Sequence, residues 1–276
     1  MNTNLTVSFS VLSGKGGVGK SNLALNLCYG LHQMGHTVLL VDSDLGLANL
    51  DVLLGISPGN DLQDIFMENR DPADILISIG PAGSEGFDLL PANSGVTAVI
   101  DLDQEAHALL REKLNPLAER YDFLALDIGA GISPSALGFG AMTALRLVVV
   151  TPEPTSLTDS YALMKVLSTT YGIDDFSILV NQADSPAEAK RTYARLSAVC
   201  QRFLGFTPEY LGGIRLDGAV PEAVRKQRPF LQVNPKSPAA LDCMQIAASL
   251  HTTRGTLLAN EAVSVPLRAS IPSRKE

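Results

Sequence analysis

Lys15 and Lys20 stand in one glycine-rich run, Gly14-Lys15-Gly16-Gly17-Val18-Gly19-Lys20-Ser21. Backbone N–H groups can converge on an anion only where side chains leave the approach open, which is the use of the glycines here. An ammonium and a hydroxyl closing such a run can neutralise terminal phosphates and ligate Mg²⁺. The run matches the G-x-x-x-x-G-K-[ST] phosphate loop in full. The expected nucleotide-binding residues are therefore Gly14, Lys15, Gly16, Gly17, Val18, Gly19, Lys20 and Ser21, with Asn22 beside them.

Carboxylates end two apolar runs. His36 to Asp42 closes on Asp42 and Asp44, and Tyr121 to Asp127 closes on Asp127, followed by Gly129 and Gly131. A carboxylate at the carboxyl end of a strand beside a phosphate loop lies where open parallel sheets bind ligands. Asp44 can there orient or deprotonate a water attacking the γ-phosphate, and Asp127 can hold the Mg²⁺ shell. Gly129 can bring a backbone N–H to the same phosphate. The catalytic candidates are Lys15, Lys20, Asp44 and Asp127, and the metal candidates are Ser21, Asp44 and Asp127. Turn aspartates that cap the next segment are the plain alternative. Asn181 closes a further apolar run, where a side-chain amide can pair with a base edge. Asn181-Gln182-Ala183-Asp184 has the N-x-x-D outline of a guanine-reading loop, so the residues alone leave the base open.

These side chains need strands that deliver them and helices that back them. Val7 to Leu12 reads as a buried strand, and Leu23, Leu27, Cys28 and Leu31 follow the loop at helical spacing. Further strands are expected over 36–42, 87–90, 121–127, 145–151, 176–180 and 209–214. Helices are expected over 61–67, 104–120 (with Asn115-Pro116 as a kink), 157–171, 186–203 and 238–251, with a short one ending at Lys226. Strands alternating with helices predict an α/β fold with a doubly wound, mostly parallel sheet and helices on both faces. Residues 1–254 read as a single domain and 255–276 as a poorly ordered tail, because Pro266 and Pro272 interrupt a weak apolar stripe.

The chain has 276 residues, 46% of them apolar, and a net charge of −8. The charge argues against direct nucleic-acid binding. Three cysteines, Cys28, Cys200 and Cys243, lie far apart without a C-x-x-C pair, so reduced thiols are expected and neither a disulfide framework nor a zinc site. The polar start and the lack of a ~18–20-residue apolar run predict a cytoplasmic protein.

Lys15 is more than the generic loop requires. A second lysine in K-G-G-V-G-K-S resembles the deviant Walker A box of MinD/ParA-type ATPases, and SGKGGVGKSNLALNL, VDSDLGLANLDVLLGI, LDIGAGIS, PEPTSLTDSYALMKVL and AVRKQRPF resemble their flagellar-number branch, the FlhG/FleN type. The resemblance covers about Val7 to Leu250. It implies a P-loop NTPase fold, ATP and Mg²⁺ as cofactors, and a homodimer when ATP is bound, with Lys15 reaching the partner subunit's phosphates. It also implies Asp44 as the switch I aspartate, Asn49 as a switch-linked interface residue, Asp127 as the Walker B aspartate and Asn181 as the adenine reader. Glu153, Thr155 and Asp159 fall where such dimers touch. Gly129 replaces the proline usual in MinD, which favours the flagellar branch.

The implied function is a slow, partner-stimulated ATPase acting as a molecular switch over flagellar number, placement and gene expression. Its implied partner is a flagellar GTPase of the signal-recognition type or a flagellar master transcription activator. Too few residues precede the first strand for the segment that stimulates such a GTPase. Peripheral attachment at the inner face of the membrane is the family's habit, though the tail supports it weakly. Cell-division or partitioning ATPases of the MinD/ParA type, and metabolic ligases of the cobyrinate amide synthase type, are the competing readings. Paired cysteines for an iron–sulfur carrier are absent.

Overall fold

The structure, a computed structural model, describes residues 5–44, 49–80, 86–92, 104–259 and 265–269. Among the described residues eight strands form one sheet in the order β3-β4-β2-β5-β1-β6-β7-β8. They are β1 (Val7–Leu12), β2 (Val38–Ser43), β3 (Ile77–Ile79), β4 (Phe87–Leu90), β5 (Phe123–Ile128), β6 (Leu145–Val150), β7 (Ser177–Ala183) and β8 (Glu209–Arg215). All pairs are parallel except β3 with β4. Near-continuous apolar runs are what strands covered on both faces require.

Alternate residues of each strand feed two cores. Leu12, Val41, Leu126, Val148 and Val180 face one apolar cluster with α4 (Gln104–Ala118), α5 (Pro134–Met142), α6 (Pro154–Tyr171) and α7 (Pro186–Leu204). Phe9, Leu40, Ala125, Val149 and Leu179 face the other, with α1 (Lys20–Gln33), α9 (Phe230–Val233) and α10 (Pro238–Ala259). Shorter helices are α2 (Leu50–Leu54), α3 (Leu62–Met67) and α8 (Ala219–Arg225). Ser8 and Ser10 sit fully buried inside β1. Ser8 Oγ accepts from the Ala144 N–H and Ser10 Oγ from the Thr143 hydroxyl, so neither polar group is stranded.

The structure adds β3, an antiparallel edge strand between the expected elements at 61–67 and 87–90. Helix α4 runs through Pro116 to Ala118, inside the expected 104–120. Helix α10 continues to Ala259, past the expected end at 251. Arg254 pins it there by donating to the Asp122 carboxylate at 2.7 Å and to the Leu5 carbonyl at 3.1 Å. Farther on, Leu267 is buried, and its N–H and carbonyl are both engaged by the Asn115 side-chain amide, at 2.8 and 3.1 Å. Among the described residues no helix is long and apolar enough to cross a membrane.

Candidate functional site

β1 lies at the centre of the sheet between β5 and β6, so the loop after it opens at the carboxyl ends of the strands, where chain order reverses. Gly19 takes φ 87° and starts α1, which aims the helix N-terminus and its positive dipole end at the loop. A Cβ on Gly19 would lie 2.5 Å from the Asn181 amide nitrogen, so glycine is needed for space as well as for φ. At Gly16 and Gly17 a Cβ would meet nothing within 4 Å, as an open anion cradle demands.

Gly14 has a different reason. A Cβ there would come within 2.1 Å of the Asp159 carbonyl carbon and 2.4 Å of the Ser160 nitrogen, both backbone of α6. It is a packing glycine, and the sequence motif alone disguises this. Gly14→Ala is expected to push α6 away and lower stability by about 1–3 kcal/mol. Gly16→Ala should leave the melting temperature near wild type, because its Cβ has room. Thermal melts of the two variants, with titrations of a fluorescent ADP analogue, check the contrast.

Lys20 is buried and its ammonium donates to Asp127 Oδ1 at 2.8 Å. The other carboxylate oxygen, Asp127 Oδ2, is buried without a hydrogen-bond partner. Asp42 stands directly opposite Asp127 in the pairing of β2 with β5 and is also buried. Its Oδ1 accepts from the Asp44 N–H at 3.1 Å and its Oδ2, at a longer 3.4 Å, from the Leu50 N–H. Asp44 itself lies against Gly129, where a Cβ would be 3.1 Å from its Oδ1. The sheet thus brings Lys20, Asp42, Asp44, Asp127 and Gly129 together, with half-buried Ser21 next to Lys20 in the chain. An orphaned carboxylate oxygen facing a second buried carboxylate fits a divalent cation held with a polyphosphate. Asp127, Asp44 and the Ser21 hydroxyl would hold it, and it would supply charge to the β- and γ-phosphates.

Asp42 deserves a place beside the candidates chosen from sequence, where it read only as a neighbour of Asp44. Burial first, then the Asp127 charge, push its pKa from 3.8 up to about 8. Between those values the folded chain holds a proton that the unfolded chain has released. This group's contribution to stability therefore falls as pH climbs through that window. The nucleotide-free protein is expected to melt higher at pH 6 than at pH 8, and Asp42→Asn to flatten the difference, read by calorimetry at both pH values.

Lys15 points elsewhere. Its ammonium pairs with Glu153 Oε2 and donates to Thr155 Oγ1 at 3.0 Å, both at the start of α6. The Gly131 N–H donates to the Ser13 carbonyl at 2.9 Å, which ties the segment after β5 to the phosphate loop. Asn181 is buried, and its Nδ2 donates to the Val18 carbonyl at 2.8 Å. That leaves Oδ1 as an acceptor. An acceptor suits the exocyclic amine of adenine and opposes the carbonyl of guanine. Asp184 belongs to a helix cap instead: its N–H donates to Glu188 Oε2 at 2.7 Å beside the Ser185 cap of α7. Asn22 is turned toward its own helix, its Oδ1 accepting from Asn26 at 2.8 Å. Asn49 stands at the N-terminal end of α2.

A phosphate loop at the centre of a parallel sheet, with two strand-end carboxylates and an adenine-compatible amide, defines a P-loop nucleotide-binding protein. The CobQ/CobB/MinD/ParA nucleotide binding domain matches residues 9–230. Antiactivator FleN of Pseudomonas aeruginosa is 40% identical over 88% of this chain and 85% of its own. The flagellum site-determining protein YlxH of Helicobacter pylori is 30% identical over 89% and 82%. The septum site-determining protein MinD of Pyrococcus horikoshii, solved with Mg-ADP, shares the fold with a TM-score of 0.73 over 91% of this chain and 98% of its own, at 24% identity. The chain belongs to the MinD/ParA family of nucleotide-binding ATPases, on its FleN-like branch.

Proposed function

We propose that this protein is an ATP-driven switch that controls flagellar number or placement and flagellar gene expression, hydrolysing ATP slowly until a partner stimulates it. The observation that carries the reading is the division between its two loop lysines. Lys20 is buried on Asp127 inside its own site, whereas Lys15 is held at the surface by Glu153 and Thr155, at a face where a second subunit can meet it. A metabolic ligase needs only the first lysine. A switch that is active as an ATP dimer has a use for the second. Similarity to an antiactivator and to a flagellum site-determining protein supports the flagellar setting. The partner is then a flagellar regulatory protein, a transcription activator or a GTPase of the signal-recognition type.

ATP with Mg²⁺ is the ligand of this reading, and Asn181 makes the choice of base testable. With its Nδ2 committed to Val18, GTP is expected to compete at least tenfold more weakly than ATP for a bound fluorescent ATP analogue. Equal competition would remove the adenine assignment. Deletion of the gene in its source cell should change the number or position of flagella seen by electron microscopy. Unchanged flagella would overturn the setting while leaving the nucleotide chemistry intact.

A further inference from the structure

The molecule carries a second recess, away from the phosphate loop, at the β3 edge of the sheet. It encloses about 310 Å³ between α2, β3 and the turn joining α8 to α9, over Tyr29, Leu54, Ile56, Ile77 and Ile79. Its rim is polar and basic. Arg228 and Gln232 line both this recess and an adjoining one that includes Lys226. Arg225, Lys226, Arg228 and Lys236 follow one another without an acidic residue between Val224 and Ser237, in a chain whose net charge is −8. Lys226 pairs with Glu222 on the preceding turn, and Arg228 stands exposed at the mouth.

We propose that this recess binds an extended acidic segment of a partner protein, placing an aliphatic or aromatic side chain in the apolar floor and carboxylates against Arg228 and Lys226. Positive charge concentrated on one rim of an acidic protein complements an acidic ligand. The floor is concave and can enclose a side chain or two, whereas a bilayer is engaged by apolar groups that protrude. β3 ends the sheet, and among the described residues no strand pairs with its outer side, which leaves backbone groups to receive an extended chain.

The walls are fixed to the nucleotide site. The Leu50 N–H at the head of α2 reaches Asp42 Oδ2, and Gln227 Nε2 donates to the Val52 carbonyl at 3.1 Å. Gln227 has φ 52°, and its amide oxygen packs so close to Gly55 that a Cβ there would lie only 2.5 Å from it. The Leu231 N–H donates at 3.0 Å to Asn26, which in turn bonds Asn22 beside Ser21. A partner seated here would touch α2, one hydrogen bond from Asp42, and the start of α9, one hydrogen bond from Asn26 of α1.

The test begins by panning phage-displayed random dodecapeptides on the full-length protein and measuring a fluorescein-labelled consensus peptide by anisotropy. The expected consensus carries an aliphatic or aromatic residue beside Asp or Glu, and its affinity falls several-fold between 50 and 300 mM salt. Arg228→Glu should weaken it at least tenfold while Mg-ADP affinity stays within about twofold. Gln232→Trp, on the recess wall, should block it independently of charge. Enriched peptides lacking acids, or affinity unchanged in both variants, would overturn the proposal. So would finding that Arg228→Glu alters only sedimentation with phosphatidylglycerol vesicles or only self-association in gel filtration. Nucleotide affinity and hydrolysis, measured on the same variants, keep this outcome separate from that of the switch reading.

Discussion

Lys20→Ala is expected to weaken nucleotide binding tenfold or more and, separately, to destabilise the empty protein. The first effect follows from losing a charged hydrogen bond to the phosphates, worth about 1.5–3 kcal/mol. The second follows from what the ammonium does at rest. It donates to Asp127, and both groups are buried. Removing one member of a buried pair leaves an uncompensated charge and costs about 3–5 kcal/mol. For a chain of this size that lowers the melting temperature by on the order of 10 °C. Unfolding could then masquerade as lost affinity. The double variant Lys20→Ala/Asp127→Asn separates the two, because it removes the stranded carboxylate charge. It should recover most of the melting temperature, yet still bind ADP weakly in the absence of Mg²⁺. Wild-type affinity in that double variant would mean that Lys20 does not touch the phosphates.

The same ion pair shows where reading residues in order succeeds and where it stops. Lys20 and Asp127 were legible as members of one site, because each belongs to a motif with a local signature. Their contact was not, since it depends on β5 lying next to β1. The parallel strands were legible for a general reason: burial on both faces forces apolar runs that punctuate the chain. β3 was missed because three residues, Ile77-Ser78-Ile79, make too short a pattern, and an edge strand covered on one face has no need of more. The end of α10 was placed too early, at His251, whereas the helix runs on to Ala259. There the helix is held by distant partners, Arg254 on Asp122 and Leu257 against the apolar cluster of α1, which local propensity does not contain. For Gly14 the loop motif was legible, but the packing that also requires a glycine there was not. Its neighbour is α6, which begins at Pro154, far along the chain.

Lys15→Ala is expected to do the opposite of Lys20→Ala: to spare the monomer and abolish the dimer. Its partners in this structure, Glu153 and Thr155, are largely exposed, and the side chains of the ion pair are 36% and 60% accessible. A pair so open to solvent contributes little, about 0–1 kcal/mol, so the variant should fold normally and bind ADP within about threefold of wild type. In an ATP dimer the balance changes. Two polyphosphates facing each other repel, and a cation between them, shielded from water, is worth far more than at an open surface. Lys15 can supply that cation only by leaving Glu153, which its exposure makes cheap. Gel filtration with ATP and Mg²⁺ should therefore show Lys15→Ala as a monomer with no hydrolysis above background. Asp44→Ala should run as a lasting dimer that does not turn over, because the carboxylate that would orient the attacking water is gone while Lys15 remains. If Lys15→Ala dimerises and hydrolyses ATP as the wild type does, the second lysine is an ordinary surface residue and the chain is a P-loop binder without a dimer switch.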